Sequence, residues 1–275
     1  MSTKGFSFQN GSNTAILLLH GLTGSPFEMH QYGKMLSSEG YDVFCPVLPG
    51  HCEDAEGLKG HTWQEWKNFT VNQFDELASK YDKVYISGLC LGAVLALAVA
   101  QERDNVAGII GLSTTLYLDG WAMPWFKFLI PVCLFSVFKL FYLFPETDTR
   151  GIKCEAVRKK IAKMQEKSGG ALDCYPMLCV VELLKVSAFV RKRIKKVNTP
   201  ILLLHSVQDD LTSVKSAEFV YNNISSTDKK MIKLEDSYHV MTLDNEKKLV
   251  AEKTLEFIKN HCENQSSQVQ RVEAV

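Results

Sequence analysis

The chain has no surplus of either charge: 31 Lys and Arg balance 31 Asp and Glu over 275 residues. Nucleic-acid binders show a basic excess, so that class of partner is not expected. There is no C-x-x-C pair. The eight cysteines fall irregularly, at 45, 52, 90, 133, 154, 174, 179 and 262, and none of the intervals is a zinc-finger spacing. A Rossmann fingerprint, a phosphate-binding glycine loop and a metal-ligand cluster are all missing, so no cofactor and no metal are inferred. The first ten residues, MSTKGFSFQN, hold no apolar run. A secretory signal is therefore not expected, and the thiols are expected to be reduced in a cytoplasmic setting. What is present is ordinary globular material, 46% hydrophobic and 23% charged, which excludes wholesale disorder.

Apolar runs alternate with helical periods. Thr14 to Leu19 (TAILLL) is a continuous apolar run, as a strand buried on both faces requires. Pro26 opens a helix reaching about Ser38, and Gly40 stops it. Asp42 to Cys45, Lys83 to Ser87, Val106 to Leu112, Ile201 to His205 and Lys230 to Leu234 read as further strands. Trp63 to Lys80, Leu91 to Gln101, Val214 to Asn222 and Asn245 to Lys259 read as helices. This alternation predicts an α/β fold with a mostly parallel central sheet and helices on both faces.

The middle of the chain breaks the rhythm. Trp121 to Pro145 is very apolar and aromatic, but Lys127, Pro131 and Lys139 interrupt it. A membrane-spanning helix needs about 20 apolar residues with few charges, so the first reading is a buried insertion helix. The second is a greasy lid that touches lipid or binds an acyl chain, and a true transmembrane helix comes third. Helical stretches follow at about Glu155 to Lys167 and Leu172 to Ile194, with no strand signal between Leu112 and Ile201. The expected organisation is a first core segment at 1–114, a helical cap at 115–195, a second core segment at 196–262 and a polar, frayed tail at 263–275.

Three strand ends carry candidate chemistry. Lys83–Ser87 runs into Gly88-Leu89-Cys90-Leu91-Gly92 and then directly into a helix. A G-x-C-x-G turn between strand and helix puts Cys90 at the sheet's carboxyl edge and at a helix N-terminus, which favours negative charge. His20-Gly21-Leu22-Thr23-Gly24 follows the first buried strand. Its backbone, together with the N–H of Leu91, can receive a developing oxyanion. Asp209 and Asp210 follow the strand Ile201–His205, and both qualify by position as an acid. His239 precedes the last helix. The chain order is nucleophile, acid, histidine. The other histidines have structural readings: His20 and His51 in tight loops, His205 at the end of a core strand, and His30, His61 and His261 on helices or the surface.

These pieces resemble the α/β-hydrolase superfamily, and most of all its bacterial carboxylesterase and monoacylglycerol-lipase-like group. The resembling segments are LLLHGLTGSP (17–26), PVLPGH (46–51), TWQEW (62–66), VYISGLCLGA (84–93), PILLLHSVQDD (200–210) and SYHVMTLDNEK (237–247). The resemblance implies Cys90 as nucleophile, Asp209 as acid, His239 as base, and Leu22 and Leu91 as oxyanion-hole amides. It also implies an entrance loop at Pro49-Gly50-His51 and packing roles for Trp63 and Trp66. The group has serine where this chain has Cys90, whose elbow is similar to those of dienelactone hydrolases and polyhydroxyalkanoate synthases. A native thiol and a replaced serine both remain open. The expected activity is hydrolysis of a small-molecule ester with a medium or long acyl chain. Trp121, Trp125, Phe126, Phe128 and Phe135, with Phe138 and Phe141, would wall the acyl site, and the cap is an expected point of transient lipid or membrane contact. A thioesterase or acyltransferase, and a non-catalytic ligand-binding member of the fold, are the alternatives.

Overall fold

A computed structural model describes residues 4–52, 55–122, 143–145, 151–168 and 174–273. Within them the strands are β1 (Phe6–Phe8), β2 (Thr14–Leu19), β3 (Asp42–Cys45), β4 (Lys83–Leu89), β5 (Gly108–Leu112), β6 (Leu143–Pro145), β7 (Cys174–Pro176), β8 (Ile201–Ser206) and β9 (Lys229–Leu234). The helices are α1 (Pro26–Ser37), α2 (Ala55–Lys59), α3 (Trp63–Ala78), α4 (Leu91–Ala100), α5 (Glu155–Ser168), α6 (Met177–Lys192), α7 (Lys215–Asn223) and α8 (Lys247–Glu273).

Seven strands form one sheet in the order β1-β3-β2-β4-β5-β8-β9. Only the β1–β3 pair is antiparallel in it. The central strands are mostly apolar because both faces are covered. Along β2, Ala15, Leu17 and Leu19 enter one core while Ile16 and Leu18 enter the other. The first core is closed by α3, α4, α6 and α7, and the second by α1 and α8. All ten residues of α4 are buried, which explains a helix made almost wholly of Leu, Ala and Val. From β2 the chain moves to β3 on one side and then to β4 on the other. That reversal opens a crevice at the carboxyl ends of β2 and β4, where open α/β sheets place their ligands.

Several elements depart from the sequence expectation. Strand β1 had no periodic signal. Strands β6 and β7 pair antiparallel, Leu143 with Pro176 and Pro145 with Cys174, in a region expected to be mostly helical and without a strand signal. The helix expected from Leu172 begins at Met177, with Pro176 as its extended N-cap. This helix lies within the span expected to form the cap, yet Cys179, Val180, Leu183, Val186 and Val190 belong to the main core. Helix α8 continues to Glu273, through the tail expected to fray. Trp125, Phe126, Phe128, Phe135, Phe138 and Phe141 lie outside the described residues. Among the described residues, no helix is long and apolar enough to cross a membrane.

Candidate active site

The crevice is built from four turns. The first is the elbow after β4. Cys90 has φ 56° and ψ −112°, a region costly for a residue with a Cβ. The turn holds because its neighbours are glycines. A Cβ on Gly92 would stand 2.3 Å from the Leu19 carbonyl oxygen, and one on Gly88 would stand 2.1 Å from the Gly92 carbonyl carbon. The Cys90 N–H donates to the Leu112 carbonyl at 3.0 Å. Leu91, as the first residue of α4, leaves its N–H without an intrahelical acceptor.

The second turn is His20 to Gly24. His20 Nε2 accepts from the Leu48 N–H at 3.1 Å, so the ring proton sits on Nδ1, which donates to the Gly21 carbonyl at 3.0 Å. Burial and then the neighbouring His51 push the His20 pKa down to about 3, and the ring is neutral. The Gly21 carbonyl also accepts from the Gly24 N–H at 3.2 Å. Across a trans peptide this turns the Leu22 N–H to the opposite side. The loop lies against the elbow, for a Cβ on Gly21 would be 3.5 Å from Cys90 Cβ. From below, Glu28 Oε1 accepts the Gly21 N–H at 2.5 Å. Burial raises the Glu28 pKa to about 7, against the lowering effects of Gly21 and His239. The ring nitrogens of His51 lie 3.1 Å from the Pro49 carbonyl oxygen and 3.0 Å from that of Leu22. This ties the Pro49–His51 loop to the His20–Gly24 turn. Trp66 is fully buried beneath it and donates to the Pro49 carbonyl at 3.0 Å. Trp63 packs on Phe189 with ring centroids 4.8 Å apart.

The third and fourth turns bring the acid to the histidine. His239 Nδ1 lies 2.9 Å from Asp209 Oδ2 and 3.0 Å from Oδ1. Asp209 Oδ1 also accepts the N–H groups of Leu211 and Thr212, each at 2.9 Å. Burial alone would raise the Asp209 pKa, but His239, His205 and the Thr212 N–H together hold the carboxyl below its ordinary value. Burial alone would lower the His239 pKa, but Asp209 and then Cys90 lift it well above the ordinary 6.5. His239 Nε2 makes no regular hydrogen bond among the described residues. Cys90 is among the groups that raise the ring's pKa. Ser113 Oγ donates to the His239 carbonyl at 2.7 Å, fixing that loop from β5.

Asp210 is turned elsewhere: its Oδ2 accepts the Gly151 N–H at 2.8 Å. His205, fully buried, places Nε2 3.0 Å from the Thr212 carbonyl oxygen. Trp121 is 64% exposed. Its Nε1 donates to the Gln208 carbonyl at 3.0 Å, and its ring meets Tyr238 at 5.5 Å. Ser113, Glu28 and Thr115, which donates to Cys90 Sγ at 3.3 Å, had no motif to mark them. Among the described residues no group of three His, Cys, Asp or Glu side chains forms a metal site.

A doubly covered parallel sheet with an elbow after its central strand, an acid after a later strand and a histidine before the last helix is an α/β-hydrolase. The chain belongs to the family described as serine aminopeptidase, S33 (Hydrolase_4), which matches residues 11–246. That description names a serine enzyme, and the elbow here carries sulfur. The chain is 25% identical over 260 residues to the thermostable monoacylglycerol lipase of Bacillus sp. (strain H-257), covering 94% of each. It is 28% identical over 261 residues to the carboxylesterase of Bacillus subtilis (strain 168), covering 94% of this chain and 97% of that one. Among solved structures it is similar to one from the metagenome-derived lipolytic enzymes LipS and LipT, with a TM-score of 0.81 and 27% identity, over 94% of this chain and 98% of the other. The fold also matches the monoacylglycerol lipase of Paleococcus ferrophilus, with a TM-score of 0.77 and 17% identity, over 95% of this chain and 100% of the other.

Proposed function

We propose that the protein hydrolyses carboxylic esters with medium or long acyl chains through an acyl-enzyme on Cys90. The observation that carries this reading is the clasp of His239 by Asp209, 2.9 and 3.0 Å from Nδ1, beside a sulfur at a strained elbow. The lipase and carboxylesterase relatives support the ester class.

His239 takes the thiol proton, and Asp209 fixes the ring tautomer and stabilises the imidazolium. The sulfur adds to the ester carbonyl, and the negative charge moves to the carbonyl oxygen. The N–H groups of Leu22 and Leu91 receive it, at about 3–4 kcal/mol for each donor. The C–O bond to the alcohol breaks as His239 returns the proton to the leaving oxygen. Water, deprotonated by His239, then cleaves the thioester. In this reading the part of residues 115–195 that lies before Met177 supplies a cap, the aromatic segment after Gly120 walls the acyl chain, and the cap is where the protein, working in the cytoplasm, touches lipid.

The test is p-nitrophenyl esters from acetyl to lauryl, with mass spectrometry of the quenched enzyme. The expected result is an acyl mass on the Cys90 peptide and rates that rise with chain length. Equal rates across the series defeat the acyl-wall assignment, and an unmodified Cys90 during turnover defeats the nucleophile. The sulfur itself favours a second reading, a thioesterase or acyltransferase. Thioesters turning over more than about tenfold faster than matched esters would move the assignment there.

A further inference from the structure

The turn after β5 carries a hydroxyl that the triad scheme leaves unused. Thr115 is 1% exposed, and its Oγ1 donates to Cys90 Sγ at 3.3 Å. The same oxygen is 2.9 Å from the Ser113 carbonyl oxygen, a second acceptor. A threonine hydroxyl has one proton to give, so it serves one of the two at a time. The Thr115 peptide is held from α6, where Ser187 Oγ donates to its carbonyl at 2.9 Å. Ser113 holds the His239 carbonyl at 2.7 Å. One short turn thus touches both the nucleophile and the loop of its base.

We propose that Thr115 is a catalytic partner of Cys90, a hydrogen-bond donor that stabilises the sulfur anion and matches this pocket to sulfur rather than oxygen. The proposal rests on Cys90 being the nucleophile. A separation of 3.3 Å suits the larger sulfur atom, whereas two hydroxyl oxygens prefer about 2.7–2.8 Å. A serine at position 90, with its shorter bond from Cβ, would draw its oxygen back from the Thr115 donor.

The chemistry needs no proton from Thr115. The thiol proton passes from Sγ to His239 Nε2, and Thr115 turns its O–H from the Ser113 carbonyl to the sulfur. When the sulfur electron pair forms the S–C bond, charge moves to the carbonyl oxygen and Thr115 swings back. In deacylation the C–S bond breaks, its electron pair returns to sulfur, and the hydroxyl meets the departing thiolate. One donor therefore assists both the formation and the departure of the anion.

The test compares Thr115→Val, which keeps the shape and removes the hydroxyl, with Thr115→Ser, which keeps the hydroxyl. Each is made with Cys90 and with Cys90→Ser. The first readout is the pH profile of Cys90 alkylation by iodoacetamide, measured without substrate. The second is the rate of acylation by p-nitrophenyl butyrate. Thr115→Val is expected to move the alkylation midpoint up by about one pH unit and to slow acylation ~10-fold, the scale of a lost hydrogen bond to a charged group. Thr115→Ser is expected to restore both to within about threefold. With Cys90→Ser, the slowing by Thr115→Val is expected to be at least ~5-fold smaller. Thr115→Ala carries the same expectations should the valine variant not fold. An unmoved alkylation profile, or equal slowing of the sulfur and oxygen nucleophiles, overturns the proposal. A wild-type enzyme that turns over without acylating Cys90 overturns the nucleophile assignment instead, and the two failures are distinct.

Discussion

Two adjacent acids end the β8 loop, and different partners hold them. Asp209 faces the His239 ring, and Asp210 faces the Gly151 N–H. Asp209→Asn removes the charge that holds the imidazolium, so kcat for a p-nitrophenyl ester is expected to fall by about 10³–10⁴. Asp210→Asn keeps an acceptor for Gly151, and a loss below about tenfold is expected; equal losses would dissolve the distinction. Glu28 makes a second case at this scale. Its pKa rises from 4.5 to about 7, so between those values the folded chain binds a proton that the unfolded chain has released. That contribution to stability is present below pH 4.5 and is lost as pH rises through about 7. The Tm gap between Glu28→Gln and wild type is therefore expected to widen in the variant's favour from pH 4.5 to 7.5; a constant gap refutes it. The pairing of Asp209 with His239 near the Cys90 elbow was foreshadowed in the sequence because strand ends and chain order mark those positions. Asp209 and Asp210 were not separable in the residue pattern, since only the turn formed with Leu211 and Thr212 decides which carboxylate faces inward. Thr115, Ser113 and Glu28 were invisible: they act on backbone or sulfur 25, 126 and 7 positions away, and no local period records such contacts.

Long elements were legible and short ones were not. Strand β2 and helix α4 advertise themselves because burial on every side demands unbroken apolar sequence. Strands β1, β6 and β7 have three residues each, too few for alternation to show. Helix α6 was seen, but its place in the main core was not, since an apolar face does not name the surface it covers. Helix α3 has a capping box, in which Thr62 Oγ1 accepts the Glu65 N–H and Glu65 accepts the Thr62 N–H. Thr62→Ala is expected to cost about 1 kcal/mol in thermal or urea unfolding, with ester turnover at 25 °C unchanged. A loss of turnover equal to that of a triad variant would mean that the cap positions the site, not only the helix.

Across the molecule, the return of the chain from the mid-region is stitched to the hydrolase loops. Gly151 donates to Asp210 and accepts the Val240 N–H at 2.6 Å. Asp244, 1% exposed, accepts the N–H groups of Lys153, Cys154, Tyr238 and Asn245 at 2.7 to 2.9 Å. Lys153 pairs with Asp236 at 2.7 Å. Asp244→Ala leaves four backbone donors unmatched, and a Tm drop of roughly 6–12 °C is expected, from about 3 kcal/mol lost. Because Tyr238 precedes His239, the proposed base, kcat is expected to fall with it; a shifted Tm with unchanged kcat would show that His239 does not depend on this support. The same stitches set where the protein tolerates surgery. A graft that exchanges the mid-region for that of a relative would have to leave Gly151 through Cys154 and all of Met177–Lys192 with the host, because splicing at the outer borders of that region would carry away the braces of the His239 loop and a slab of the interior.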